Sequence, residues 1–168
     1  MFRYTIIAVL VLFVSSLMIS TYSFSQGDQV EMNTLKGLEG IGVSVEDINA
    51  DAAADGLNKD KLLTVITQKL KKSGVKVLTD QEVGTISGQP KLVLSINSTK
   101  QPGPIYLFTA TLDFTQIVLL ERNPGLTAAS PTWTVLTTGG ALPEDLPANV
   151  QAALDPMLES FIGLNSCG

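Results

Sequence analysis

The sequence predicts an α+β fold, in which a mixed, mostly antiparallel sheet of about five strands carries two helices on one face, in the order β-α-β-β-β-β-α. Three observations support this prediction. Several segments alternate apolar and polar residues with the period of a half-buried strand. Two longer segments repeat apolar residues every three or four positions, which is typical of amphipathic helices. The first helix is followed at once by a strand, and such a tight strand-helix-strand unit indicates parallel pairing.

The first strand is predicted at residues 41–45, where Ile and Val alternate with small or acidic residues. Residues 47–56 are rich in Asp and Ala and are interpreted as a loop. Asn58 is a good N-cap, and Gly74 supplies the left-handed stop of the helix that follows. The apolar face of this helix comprises Leu62, Leu63, Ile66 and Leu70.

A second strand is predicted at residues 75–78 and a third at residues 92–96, joined by a connection of undefined shape at residues 81–89. The fourth strand has the clearest pattern, because residues 106–115 place aromatic and aliphatic side chains on one face and mainly Thr and Asp on the other. This strand is predicted to continue toward Arg122, with a bulge near Gln116 where the alternation blurs.

Residues 123–131 contain two prolines and a glycine and are interpreted as a turn and a loop. A fifth strand is predicted at residues 132–138. The final element is an amphipathic helix with Val150, Leu154 and Phe161 on its apolar face. Pro156 is expected to kink this helix or to divide it in two.

The face of the sheet that lacks helices is the candidate partner surface. Two helices on one face leave the threonine-rich face toward water, where a partner can bind to it or to an edge strand. The alternative is ordinary solvated surface, because threonine is common in strands. The candidate residues are Thr109, Thr111, Thr115, Thr132 and Thr134.

The amino terminus has the three parts of a secretory signal. Arg3 is followed by apolar residues at 6–14 and 17–19 and then by small polar residues up to Ser25. The sequence predicts cleavage after Ser25, a flexible lead at 26–37 and a single α/β domain at 38–168. The alternative is an uncleaved signal anchor, but the apolar stretch is shorter than the roughly 20 residues of a membrane-spanning helix. No stable membrane span is therefore expected after cleavage.

Composition excludes several classes of function. The chain has no histidine and a single cysteine, Cys167, so it cannot form a Ser-His-Asp triad or an ordinary zinc site. Cys167 is either a free thiol or paired with another chain. The net charge of −5 repels phosphate backbones, so nucleic acid is not an expected partner. The sequence leaves the oligomeric state open.

Two patterns resemble ligand sites without meeting their requirements. A calcium loop that began at Asp51 would need an acidic ligand at its third and twelfth positions, where the chain has Ala53 and Leu62. No metal or other cofactor is therefore expected. Three glycines precede or lie in the first strand, not between a strand and a helix, so close packing or backbone freedom explains them better than phosphate binding. They are Gly37, Gly40 and Gly42.

The layout from the Ser73-Gly74 helix stop through residues 75–80 and 90–96 to the terminal helix resembles a small periplasmic α/β domain. It is similar to the amino-terminal domain of TolB and to the curli-assembly lipoprotein. The resemblance implies a non-enzymatic domain that binds partner proteins in the bacterial envelope. This chain departs from that pattern at Ser95, where the relatives usually have glycine, and it lacks their amino-terminal lipoprotein cysteine.

Taken together, the sequence predicts a non-catalytic exported domain, in the bacterial periplasm, that binds another envelope protein or component. Two alternatives stay open. A carrier of a small apolar molecule or lipid would hold it between sheet and helices, lined by Phe108, Leu112, Phe114, Val150, Leu154 and Phe161. A carboxylate-dependent hydrolase would draw its acids from Glu46, Asp47, Asp113 and Glu121.

Overall fold

The computed structural model describes residues 29–165, and its sheet has four strands in the order β1-β2-β3-β4. β1 pairs in parallel with β2, and β2, β3 and β4 follow one another in antiparallel pairs. The predicted mixed α+β sheet is thus confirmed, whereas its strand number is smaller than predicted. The strands are β1 Gly42–Val45, β2 Lys91–Lys100, β3 Tyr106–Leu120 and β4 Asn123–Ala141.

Five α-helices occur in the described residues, and two of them are long. The long helices were predicted, whereas the three short ones were not. A 3-10 turn at Pro143–Asp145 leads into the last helix. The helices are α1 Gln29–Asn33, α2 Ala50–Ala54, α3 Lys59–Lys72, α4 Asp80–Thr85 and α5 Leu146–Asn165.

Helix α3 begins and ends where its sequence predicts. The Asn58 side chain accepts a hydrogen bond from the Lys61 backbone N–H at 2.9 Å, and Gly74 adopts a φ of 83°. At the far end of α3, Lys69 donates to the carboxylates of Asp155 at 2.8 Å and Glu159 at 3.2 Å on α5. This ion pair network joins the two long helices.

The prediction of a strand at residues 75–78 is wrong. The segment makes a single parallel bridge, between Ile41 and Val77, and β1 finds its parallel neighbour in β2 instead. Four residues separate the helix stop at Gly74 from Thr79, which begins α4 with a capping box to Glu82. The helix cap at Thr79 therefore ends the segment two residues after its bridge at Val77.

Parts of the predicted loop and lead are also ordered. Asn49 caps α2 by accepting from the Ala52 N–H at 2.8 Å, inside the segment interpreted as a loop. Within the predicted lead at 26–37, α1 forms and Leu35 is fully buried in the core. Leu35 docks this mostly polar segment in the core, and Thr34 adds a hydrogen bond to the Thr132 hydroxyl at 3.2 Å. The predicted signal and Cys167 lie outside the described residues.

Strand β4 is much longer than predicted. It begins at Asn123 and includes the whole segment interpreted as a turn and loop. β4 lies at the edge of the described sheet, where a proline costs no ladder hydrogen bond if its nitrogen faces outward. Pro124 and Pro131 lie in this edge strand, and Pro131 lies directly beside the register shift. An irregularity near the predicted position is confirmed, since the β3–β4 register shifts between Phe114 and Thr115, but the extra residue is Thr132 of β4 and not a residue of the strand for which the bulge was predicted.

The core lies between the sheet and the two long helices. The ring of Phe161 on α5 lies 5.7 Å from the rings of both Phe114 and Trp133. Helix α5 runs through Pro156 as one element, so of the two expected outcomes, a kink or a division, the division does not occur. Packing of both halves of α5 on the same core holds it together across the missing hydrogen bond.

The structure confirms packing and backbone reasons for the first three glycines. Gly37 has a φ of 69°, which favours glycine. A Cβ at Gly40 would lie 2.9 Å from the Leu78 side chain, and one at Gly42 would lie 2.8 Å from that of Val83. Larger residues cannot be placed there without displacing these neighbours.

Candidate functional site

The sheet face that points away from the core is named here the open face. Along β3 its row consists of the odd-numbered side chains, which alternate with the buried row. Threonines occupy the middle of this row and large apolar residues lie toward both ends. Leu107 is 53% exposed and Leu119 is 66% exposed. The row comprises Leu107, Thr109, Thr111, Asp113, Thr115, Ile117 and Leu119.

Strand β4 adds a second row to the open face. Leu136, which is 40% exposed, pairs with Thr111, and Thr138 pairs with Thr109. Thr134 donates its hydroxyl hydrogen bond to the Asp113 carboxylate at 2.6 Å. The centre of the open face therefore presents hydroxyl groups and one leucine, and its carboxylate is already partnered.

One end of the open face carries an apolar group. Tyr106 pairs with Ala141, so Ile105 and Leu142, one position further on, flank the same end of the sheet. Both side chains are exposed, as is Leu107 beside them. Exposed large apolar side chains that cluster are less common on monomers than single ones, and such clusters mark interaction surfaces.

The other end of β3 extends beyond β2 as a two-stranded ribbon, named here the arm, at residues 116–130. The last pairing of β2 with β3 joins Lys91 to Thr115, whereas β3 and β4 stay paired to the tip. Ile117, Leu119 and Leu126 of the arm are exposed. A two-stranded ribbon has little buried surface of its own, so its apolar side chains are available for contact.

Four of the five threonines predicted as a partner surface share the open face, and Thr132 does not. Thr132 is the extra residue at the register shift, and its hydroxyl accepts from the Gln116 side-chain amide at 2.9 Å and from Thr34 at 3.2 Å. The bulge turns Thr132 toward internal partners. The sequence reasoning missed the exposed leucines of the face, although Leu107 already occupied the polar phase of its strand.

A second cluster, which the sequence reasoning also missed, joins Asp55 to the sheet. The Tyr106 hydroxyl donates to the Asp55 carboxylate at 2.6 Å, and the Lys100 ammonium donates to the same oxygen at 3.0 Å. Lys100 also lies 5.3 Å from the centre of the Tyr106 ring. The hydrogen bonds from Tyr106 and Lys100 hold the pKa of Asp55 below its usual value. The cluster anchors the loop between α2 and α3.

This cluster predicts a dependence of stability on pH. Because its pKa is lowered in the fold, Asp55 contributes stability above its ordinary pKa and loses that contribution as the pH falls below about 4. The hydrogen bond to Asp55 raises the pKa of Tyr106 and of Lys100, so their contribution is lost as the pH rises above about 10.

We expect Tyr106→Phe to reduce the loss of melting temperature at the alkaline end, and Asp55→Asn to reduce it at both ends. Thermal unfolding followed by circular dichroism between pH 3 and 11 measures this. Asp47→Asn is the control, because its exposed pair with Lys59 is screened by water and contributes little. Equal profiles for wild type and Asp55→Asn would contradict the prediction.

Two of the four acids predicted for a hydrolase, Asp113 and Glu121, lie far apart. Asp113 and Glu121 lie eight positions apart along β3 and its end, or roughly 27 Å. Glycosidase carboxylates lie about 5 to 9.5 Å apart. The Asp47 carboxylate accepts a hydrogen bond from the Lys59 ammonium at 2.6 Å. Between residues 29 and 165 no group of three or more metal-ligating side chains occurs.

The residues predicted to line a carrier pocket fill the core instead. All six are buried, and the rings of Phe114 and Phe161 contact each other directly. An open groove of about 400 Å³ lies elsewhere, beside Glu39, Thr85 and Pro90. This packing gives the carrier alternative no support.

Known proteins were compared with this chain by family, by sequence and by structure. No family model and no curated protein matches the chain. A minor lipoprotein from Acinetobacter baumannii is a similar solved structure, with 11% identity over 76% of this chain and 83% of that one and a TM-score of 0.26. A TM-score of 0.26 is too low to indicate a shared fold or function. No match to TolB or the curli-assembly lipoprotein was found. None of the described helices has both the length and the apolar character needed to cross a membrane.

Proposed function

We propose that this chain is a non-catalytic domain of the bacterial envelope, exported to the periplasm, and that it binds another envelope protein through the open face. The observation that carries the proposal is the composition of that face. Its threonines are flanked by exposed Leu107 and Leu136 and by the apolar arm. The face thus combines exposed apolar side chains with hydroxyl groups, and protein interfaces also combine apolar and polar groups.

Charge supports a protein partner over a nucleic acid. Along the β3 row of the open face the charged residue is Asp113, which Thr134 already partners. The chain as a whole is acidic, with 16 acidic and 11 basic residues. A phosphate backbone would meet neither a basic patch nor a favourable net charge there. The predicted secretory signal supports the periplasmic compartment.

The non-catalytic part of the proposal is supported by the placement of the acids. Asp113 and Glu121 lie too far apart to act on one bond, and Asp47 and Asp55 are held by hydrogen bonds to neighbouring side chains. A hydrolase would require two acids at one site. Turnover that disappears in Asp113→Asn or Glu121→Gln would contradict the proposal.

Photo-crosslinking in the native host tests the binding surface. A photoreactive amino acid at position 111 is expected to give a protein adduct, and Thr111→Arg is expected to lower partner capture at least ~10-fold without lowering the melting temperature, because a charged side chain replaces a hydroxyl at the centre of the face. Thr64, which is exposed on α3, provides the matched position and the matched Thr→Arg control.

Comparison of positions 111 and 64 separates specific binding from non-specific adsorption. An adduct from position 64 as strong as that from position 111 would contradict the proposal. Unchanged capture by Thr111→Arg would remove the open face from consideration. Co-purification of a small apolar molecule by native mass spectrometry would favour the carrier alternative.

A further inference from the structure

Strand β4 presents an open edge between Thr132, whose carbonyl accepts from Thr34 at 3.4 Å, and Gly140, whose carbonyl accepts from Asn149 at 3.3 Å. It lies at one end of the strand order, and among the described residues no strand pairs with its outer side. Its 19 residues make it the longest strand of the sheet. The unpaired N–H and C=O groups of such an edge are a template for a further strand.

The devices that normally protect a sheet edge are missing from residues 133–139 of β4. Natural edges are blocked by charged residues, prolines, bulges or short strands. Residues 123–143 contain no Asp, Glu, Lys or Arg, and no proline occurs at residues 132–142. The opposite edge differs, because β1 has four residues and Ile41 beside it bridges to Val77. The two edges of the sheet are thus protected unequally.

We propose that the occupant of the β4 edge is the β4 strand of a second copy of this chain, in antiparallel pairing about a two-fold axis at Leu136. In this register Leu136 of the two copies lie side by side on the open face, and Thr134 of each lies opposite Thr138 of the other. The two sheets then form one continuous sheet of eight strands. This proposal does not depend on the proposed function of the open face.

Charge is the first argument for a second copy. The chain has a net charge of −5, so two copies repel each other through most of their surfaces. The β4 edge brings no carboxylate of one copy opposite a carboxylate of the other. The first half of α5, which flanks this edge, is also uncharged from residue 146 to 154. Within each copy, a small groove of about 50 Å³ lies between the β4 edge and α5 and is lined by Thr138, Asn149 and Ala152.

The positions of the exposed apolar side chains are the second argument. An antiparallel register about Leu136 directs the arm of each copy past Ala141 of the other. Leu142, which is exposed beside Ile105 at the end of β4, then lies opposite Ser130 at the base of the partner copy's arm. A stable dimer buries about 1,200 to 2,000 Å². Contacts at both ends of β4 add to the surface area that the paired edges bury alone.

Sedimentation velocity of the purified chain over a concentration series tests the proposal. We expect a concentration-dependent dimer. Leu136→Lys is expected to raise its dissociation constant at least ~100-fold, because two like charges would face each other across the axis. Leu107→Lys is the matched control, since Leu107 is more exposed on the same face but lies on β3. It should leave the dimer unchanged.

Disulfide trapping tests the register separately from the strength of association. In a Cys167→Ser background, Leu136→Cys is expected to form an intermolecular disulfide under mild oxidation, because side chains directly opposite in antiparallel strands have Cβ atoms about 4.5 to 5.5 Å apart. Leu107→Cys should not. A wild-type chain that stays monomeric at ~100 μM, where a dimer of ~1 μM affinity is nearly complete, would overturn the proposal. So would a dimer that Leu136→Lys leaves intact.

These results are independent of the binding experiment. A monomeric chain that is still captured through Thr111 would refute self-pairing and keep the proposed function. A dimer without capture through Thr111 would support self-pairing and refute the proposed function.

Discussion

Replacing Phe161 by alanine is expected to lower the free energy of unfolding by about 3 to 5 kcal/mol. Phe161 is fully buried and its ring contacts those of Phe114 and Trp133 at 5.7 Å. Removing it leaves a cavity where α5 meets the sheet, and the transfer free energy of the ring is lost as well. Urea unfolding followed by the fluorescence of Trp133, the single tryptophan, measures the change.

Leu119→Ala is the control for this substitution. Leu119 is 66% exposed on the arm, so its truncation should change stability by less than about 0.5 kcal/mol. Equal losses in the two variants would mean that α5 does not pack on the sheet as described.

Two neighbouring glycines give the second large effect. A Cβ at Gly139 would lie 2.7 Å from Cζ of Phe108, its cross-strand partner, whereas a Cβ at Gly140 would meet nothing closer than 3.6 Å. Gly139→Ala is therefore expected to destabilise the fold by about 1 to 3 kcal/mol, because the rigid Phe108 ring must move within the core. Gly140→Ala should be neutral or slightly stabilising.

The same urea unfolding measurement compares the two glycine variants. The double variant Gly139→Ala with Phe108→Leu is expected to lose less stability than the two single changes added together, because the smaller side chain makes room for the new methyl group. Strict additivity would contradict the proposed clash.

The sequence predicted the elements that rest on strong periodicity. The α3 helix follows from its apolar spacing and from Asn58 and Gly74, and the structure places both caps as expected. The alternation in β3 predicts its two faces and the irregularity beside them. These features are local, so a short window of residues determines them.

The features that were mispredicted depend on distant residues. Residues 75–78 have strand-forming side chains, but the capping box at Thr79 ends the segment before a ladder can form. Residues 123–131 have the prolines of a loop, yet pairing with β3 makes them a strand. Leu35 orders a polar segment because it reaches the core. None of these outcomes can be deduced from local propensity.

The candidate site was predicted in part. The alternation placed Thr109, Thr111 and Thr115 on one face, but the bulge that removes Thr132 from it acts across two strands. The hydrogen bond between Tyr106 and Asp55 joins residues 51 positions apart, so no sequence pattern could have indicated it.

The strand order has a consequence for how the chain folds. β2, β3 and β4 are consecutive and joined by short turns, so closing their loops costs little conformational entropy. β1 instead pairs with β2 across residues 46–90. We therefore expect the antiparallel meander, with its low contact order, to form first and β1 to join it later. If the chain crosses a membrane with its amino terminus first, β1 emerges well before β2 and stays unpaired until the meander has formed.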